Sequence, residues 1–214
     1  EILKLAPNDN EPMVHYYLYA LTNDKSELDK AENSDSLYCF PNRLEDIAIL
    51  EKAIYNGGNY AAYYLGCLFY DKGRWEESKE LWEKCADNIT LPTVYRNLSL
   101  VYYNKLKDGV LALKAMEKAF SIDKSDARIF FELDQLYKTL NFSLEKRLAN
   151  MNENSDLLEK RDDLYTEYIT LLNMNGEYDN AYNRIMNHNF HPWEGGEGKI
   201  PAQYRIALIN KAKA

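Results

Sequence analysis

Two histidines three residues apart, His188 and His191, followed by Glu194 and Glu197, are the residue types of a metal centre. Metal-binding His-x-x-x-His works because residues four apart share a helix face. Here the spacing is His-x-x-His, and Pro192 ends helical geometry directly after the second histidine. Packing is therefore the expected role of His188, and no metal site is expected. The same stretch, "HPWEGGEGKI" over 191–200, offers a second chemistry. An aromatic face at Trp193, the carboxylates Glu194 and Glu197 and a glycine-rich backbone suit a neutral, hydroxyl-rich ligand such as a sugar, whereas paired carboxylates repel phosphate. Two readings stand open. In the first the segment is a joint, with Trp193 wedged under the helices before it. In the second, His191, Trp193, Glu194 and Glu197 contact a ligand or another domain.

Other reactive residues fall away on spacing. Asp162 and Asp163 in "RDDLY" are adjacent, and successive helix positions diverge by about 100°, so they cannot act as a paired acid and base. Asp162 is expected to cap its helix or pair with Arg161 or Lys160. Cys39, Cys67 and Cys85 have neither the even count of a disulfide framework nor the close pairing of a zinc knuckle, which predicts reduced, partly buried thiols. No nucleophile elbow, P-loop, zinc-protease or dinucleotide motif occurs. Neither catalytic residues nor a cofactor are expected.

These residues need elements to position them, and the composition bounds the choice. A chain of 214 residues, 46% hydrophobic, can bury a continuous core. The net charge of -8 opposes phosphate-backbone binding and argues against a nucleic-acid partner. No run approaches the length of a membrane span, and "EILKLAPNDNEP" at the start has no signal-peptide apolar block. The expectation is a soluble, cytoplasmic segment of a longer polypeptide.

An internal repeat decides the fold class. "YYLGCLFYDKGRWEESKELWEKCAD" (63–87) and "TEYITLLNMNGEYDNAYNRIMNHNF" (166–190) each run apolar helix, glycine turn, aromatic, second amphipathic helix. After Gly73 come Trp75, Ser78 and Trp82; after Gly176 come Tyr178, Ala181 and Ile185 at identical spacing. Between them "YRNLSLVYYNKLKDGVLALKAMEKAFSID" (95–123) repeats the pattern with a longer turn, and "DARIFFELDQLYKTLNFSLEKRL" (126–148) begins another unit whose second helix departs from it. Leu65, Leu98, Leu133 and Tyr168 as equivalent anchors are separated by 33, 35 and 35 residues. That period matches tetratricopeptide repeats, in which each pair of helices buries its apolar faces only by stacking on its neighbours. The prediction is an all-α, right-handed α-solenoid of helix-turn-helix repeats. Residues 1–58 form an irregular helical region and 59–190 four helical pairs, the third with a divergent second helix. Residues 191–214 supply the glycine-rich loop and a terminal helix opened by Pro201.

The blocks "SDSLYCFPNRLEDIAILEKAI", "YYLGCLFYDKGRWEESKELWEKC", "VYRNLSLVYYNKL", "FFELDQLYK", "RDDLYTEYITLLN" and "FHPWEGGEGKI" together resemble the tetratricopeptide region of a large bacterial family of uncharacterised proteins. In that family a predicted β-sandwich, related to carbohydrate-active proteins, precedes the repeats. The resemblance implies a helical module of a longer bacterial protein and an indirect carbohydrate link, and it assigns no functional residue.

First helices of tetratricopeptide arrays line a concave groove. Helical spacing from the anchors aims Tyr63, Cys67 and Tyr70, then Arg96 and Tyr103, then Arg128, Phe131, Gln135 and Lys138 toward it. Tyr and Arg supply contact area and directed hydrogen bonds, as recognition surfaces do, with packing between repeats as the competing role. The Lys and Asn arrangement with which chaperone-binding relatives grip a terminal carboxylate is not reproduced. The expected function is a protein-interaction module binding a protein or peptide. The alternative is an accessory helical domain of a carbohydrate-active enzyme, packed on a β-sandwich domain of the same polypeptide.

Overall fold

The computed structural model describes residues 11–35, 38–191 and 198–213, which hold thirteen helices and no strand. In chain order these are α1 (Pro12–Thr22), α2 (Lys25–Asn33), α3 (Leu44–Tyr55), α4 (Asn59–Asp71), α5 (Trp75–Ala86), α6 (Pro92–Asn104) and α7 (Gly109–Ile122). They continue with α8 (Ala127–Thr139), α9 (Leu144–Glu153), α10 (Ser155–Leu158), α11 (Asp162–Met174), α12 (Tyr178–Asn187) and α13 (Lys199–Lys211). The chain divides into two compact units, the boundary falling between Ala115 and Met116 within α7. Among the described residues no helix is long and apolar enough to cross a membrane.

The four helical pairs are α4–α5, α6–α7, α8–α9 and α11–α12. Each turns through one residue with positive φ: Gly73 (77°), Lys107 (59°), Asn141 (60°) and Gly176 (82°). Gly73 and Gly176, the glycines of the predicted turns, end their helices left-handed, and the amides of Arg74 and Glu177 close the turn on the carbonyls of Phe69 and Leu172. Asn141 uses the same closure, Phe142 donating to Tyr137. Asn141 is a residue that tolerates the left-handed conformation, whereas Lys107 adopts it against the preference of an L side chain.

In the first unit α4 and α5 come close because Gly66 has no side chain: a Cβ there would lie 2.5 Å from Trp82 Nε1. Ser78 Oγ donates to the Gly66 carbonyl at 2.8 Å, and Trp82 Nε1 donates to the Tyr63 carbonyl at 3.1 Å. Ser78 is thus the small residue that lets the helices approach, and Trp82 fills the seam. The next pair reverses the direction of the tie, Ser99 Oγ of α6 donating to the Ala112 carbonyl of α7 at 2.8 Å.

Ahead of these pairs, α1, α2 and α3 form a tight cluster. Tyr17 donates to Asp46 at 2.8 Å, and the same carboxylate accepts the Asn42 and Arg43 amides at 3.0 Å each, closing the first turn of α3. Helix α2 forms within the polar stretch after α1, started by Asp24 accepting the Ser26 amide at 3.0 Å. Its Glu32 reaches the start of α4.

In the second unit α11 is the most deeply buried helix, with Leu164, Tyr165, Tyr168, Ile169, Leu171 and Leu172 all in the core. Helix α13 packs on α12 and α11, as the first helix of a further repeat would, and Asn173 Nδ2 donates to the Gln203 carbonyl at 3.0 Å.

Candidate functional site

In the first unit the residues of the predicted stripe lie on α4 and α6. The anchors Leu65 and Leu98 are buried, while Tyr63, Cys67, Tyr70, Arg96 and Tyr103 are each half-buried. Asn97 Nδ2 donates to Cys67 Sγ at 3.9 Å and joins the two helices. The Tyr63 ring lies 5.4 Å from Tyr64, and the Tyr70 ring 5.7 Å from Trp82, so one face of each packs on the repeat core. Burial, with Cys67 adjacent, pushes the Tyr63 hydroxyl well above its ordinary range and keeps it a neutral donor.

Burial likewise pushes the Cys67 thiol up to about 11 and those of Cys39 and Cys85 up to about 12. Thiolate chemistry is disfavoured at all three. They are free cysteines, Cys39 and Cys85 buried and Cys67 half-buried, in keeping with the sequence reading.

Several of the many tyrosines turn out to be ties between repeats. Tyr102 of α6 donates to Glu83 of α5 at 2.7 Å, and Tyr137 of α8 donates to Glu117 of α7 at 2.8 Å. Glu83 and Glu117 recur 34 residues apart, one repeat period. Sequence reasoning missed this pair, although the signal was present: a glutamate at a fixed place in successive second helices, each opposite a tyrosine.

In the second unit Phe131 and Gln135 are half-buried on α8, and Arg128 and Lys138 are exposed. Arg128 Nε donates to Glu132 at 3.2 Å. Lys138 Nζ donates to Glu167 of α11 at 2.7 Å, which ties its ammonium to the repeat interior. It belongs to a network the sequence did not reveal. Asp134, fully buried, stands at the position of Gly66 and Ser99, and Arg147 stands where Ser78, Ala112 and Ala181 supply small residues. Arg147 forks onto Asp134 at 3.0 and 2.6 Å and donates to Glu167 at 2.8 Å.

That exchange of a small pair for an ion pair explains why the second helix of this repeat broke the pattern. Burial raises the Asp134 carboxyl above its ordinary range despite Arg147. Burial acts on Glu167 too, but the hydrogen bonds from Lys138 and Arg147 outweigh it and hold that carboxyl below the usual range.

At the end of α12 the chain is pinned to α11. The His188 ring stacks on Tyr165 with centroids 4.1 Å apart, meets Phe190 edge-on at 4.6 Å, and its Nε2 contacts Asp162 at 2.9 Å. The His191 amide donates to the same carboxylate, and His191 Nδ1 lies 3.3 Å from it. Burial alone would raise the Asp162 carboxyl, yet these donors hold it below the usual range. His188 therefore packs, as the sequence indicated. The Asp162 carboxylate meets both histidines, a role the sequence did not indicate, and Arg161 forks onto Asp163 at 3.0 and 2.7 Å. His191 is exposed at the edge of the segment, while Trp193, Glu194 and Glu197 lie outside the described residues. Among the described residues no group of three or more His, Cys, Asp or Glu is arranged to hold a metal ion.

No family model matches the chain. Solved structures do. YrrB, described as a TPR protein with an unusual peptide-binding site, superposes with a TM-score of 0.55 at 16% identity, covering 99% of this chain and 98% of that one. PilF of Pseudomonas aeruginosa gives 0.54 at 16% identity over 99% and 85%. A form of MamA gives 0.51 at 14% identity over 94% and 97%. Helical pairs at the tetratricopeptide period, left-handed turn residues and this likeness over nearly the whole length agree: the chain has the tetratricopeptide-repeat fold.

Proposed function

We propose that the chain is a protein-interaction module that holds an extended peptide, or a strip of another domain, along the first helices of its repeats. The observation carrying this reading is the half-buried stripe Tyr63, Tyr70, Arg96 and Tyr103. Tyr63 and Tyr70 pack one face on the repeat core, and all four side chains keep contact area for a partner. Such groups are already ordered, so binding costs little side-chain entropy. In the second unit Phe131 and Gln135 offer the same kind of surface and Arg128 a cation, whereas Lys138 contributes only by sharing its ammonium with Glu167. The peptide-binding site described for YrrB supports the reading by analogy of fold.

The test is a random peptide library selected on the wild-type chain, followed by calorimetry of the selected peptides. The Tyr70→Ala, Arg96→Ala, Arg128→Ala variant should retain its helical circular dichroism and lose at least tenfold in affinity. Undiminished affinity in that variant removes the stripe from the reading.

A second reading rests on exposed apolar side chains elsewhere in the first unit. Tyr38, Phe40 and Leu44 are 81%, 74% and 74% exposed within a short stretch of chain, as suits a surface that another domain covers. Under this reading the module is the accessory part of a longer bacterial, carbohydrate-active protein, and the 191–197 segment takes part in the contact. Tryptophan fluorescence during titration with neutral oligosaccharides tests the carbohydrate branch. A change lost in Trp193→Ala supports it, and no change in the wild type removes it.

A further inference from the structure

The first unit carries a cavity of 470 Å³ between α3 and α5, floored by α4 and separate from the stripe described above. Ile54 and Tyr55 of α3 form one wall, Leu81 of α5 the other, and Leu65 and Phe69 of α4 lie at the bottom. The rim is acidic: Glu51, Glu77 and Glu80 line it together with Lys84, and Arg74 beside it engages Glu77. Tyr55 stands 91% exposed, an aromatic side chain presented to solvent at the mouth. The chain itself shows which group this surroundings favours. Arg74 lays its guanidinium 3.7 Å from the Phe69 ring centroid while its donors engage Glu77. An apolar floor next to carboxylates already holds one guanidinium by cation–π and charge together.

We propose that this cavity is a second binding site, taking a peptide segment in which one large aliphatic or aromatic side chain is flanked by Lys or Arg. The apolar side chain fills the space over Leu65, Ile54 and Leu81, and the flanking cations reach Glu51 and Glu80. The volume lies within the range of small-ligand pockets, roughly 300–1,000 Å³, and accommodates one side chain with its backbone rather than a folded domain. Charge complementarity picks the occupant: an acidic or uncharged segment brings nothing to the rim, and a charge of the same sign is repelled.

The probe is a fluorescein-labelled, end-capped peptide Lys-Lys-Leu-Arg-Lys, with Lys-Lys-Ala-Arg-Lys and Glu-Glu-Leu-Glu-Glu as controls. Polarisation measures affinity and amide chemical shifts locate the site on the intact chain. The leucine peptide should bind, shift the amides of Ile54, Phe69 and Leu81, and lose at least tenfold in affinity to the Glu51→Lys, Glu80→Lys double variant. Both substituted residues are exposed, so the fold should persist. Three results overturn the proposal. They are equal affinity for the alanine peptide, which means charge attraction alone; shifts confined to α6 and the Tyr63 face of α4; or a concentration-dependent dimer abolished by Tyr55→Ala, which means the cavity takes a second copy of the chain. The stripe variant Tyr70→Ala, Arg96→Ala, Arg128→Ala leaves this site intact, so failure of either reading is seen separately.

Discussion

Glu32 should be the most costly single polar residue to remove from the first unit. Its carboxylate accepts the Tyr16 hydroxyl at 2.6 Å and the amides of Asn59, Tyr60 and Ala61 at 2.8, 2.9 and 3.1 Å. Those amides open α4, whose N-cap Gly58 has no side chain with which to satisfy them, so a glutamate 27 residues earlier in the chain caps the helix. A Cβ at position 58 would lie 3.0 Å from the Glu32 oxygen, which accounts for glycine there.

Glu32→Ala removes a cap worth about 1 kcal/mol and a helix-dipole interaction worth about 0.5 kcal/mol. It also strands the hydroxyl of Tyr16, a fully buried residue, at about 1–3 kcal/mol. The total is about 3 kcal/mol, or a melting temperature lower by about 6–12 °C. Glu32→Gln keeps one acceptor oxygen and should lose about half as much. Urea unfolding by circular dichroism measures the loss, and hydrogen exchange at residues 59–61 localises it. In a Tyr16→Phe background the stranded hydroxyl is absent, so Glu32→Ala should cost about 1 kcal/mol less there. A loss below about 1 kcal/mol with unchanged exchange at residues 59–61 would refute the capping argument.

Gly66→Ala forces a methyl onto Trp82 and should cost about 1–3 kcal/mol, with a red-shifted tryptophan emission as the indole loosens; wild-type emission and stability would contradict the close approach. Arg147→Ala leaves Asp134 and Glu167 buried without their shared cation and should destabilise the second unit by about 3–5 kcal/mol, measured by urea denaturation. Asp162→Asn should be less stable than wild type at neutral pH. Because the Asp162 carboxyl titrates below its unfolded value of 3.8, its stabilisation is present above that pH and fades as pH falls through the depressed value. Thermal melts across pH 2–6 should therefore show the two proteins converging only at the acid end, and a constant gap would falsify the link to this carboxylate.

The repeat was legible in the sequence because it rests on short-range physics. Apolar residues at helical spacing, a turn residue of positive φ and a small residue opposite a seam-filling one are all set within about 30 residues, the length of one helical pair. Leu65, Ser78, Trp82, Ala181 and Gly176 could be assigned on that basis. Side chains that act across repeats did not show themselves. Glu32 is 27 residues from the helix it caps, Tyr102 and Tyr137 each reach a glutamate in the preceding helix, and Asp162 waits for His188 and His191 at the far end of its own helical pair.

Asp134 and Arg147 show the limit most clearly. By local rules a carboxylate and a guanidinium in place of two small residues read as a broken repeat. Only the fold shows them meeting each other and Glu167 in the core, where each charge is compensated. Periodicity determined which faces are buried, because burial depends on local alternation of apolar and polar side chains. The partners of buried polar groups were decided by tertiary structure, because a hydrogen bond depends on distance in space and carries no period along the chain.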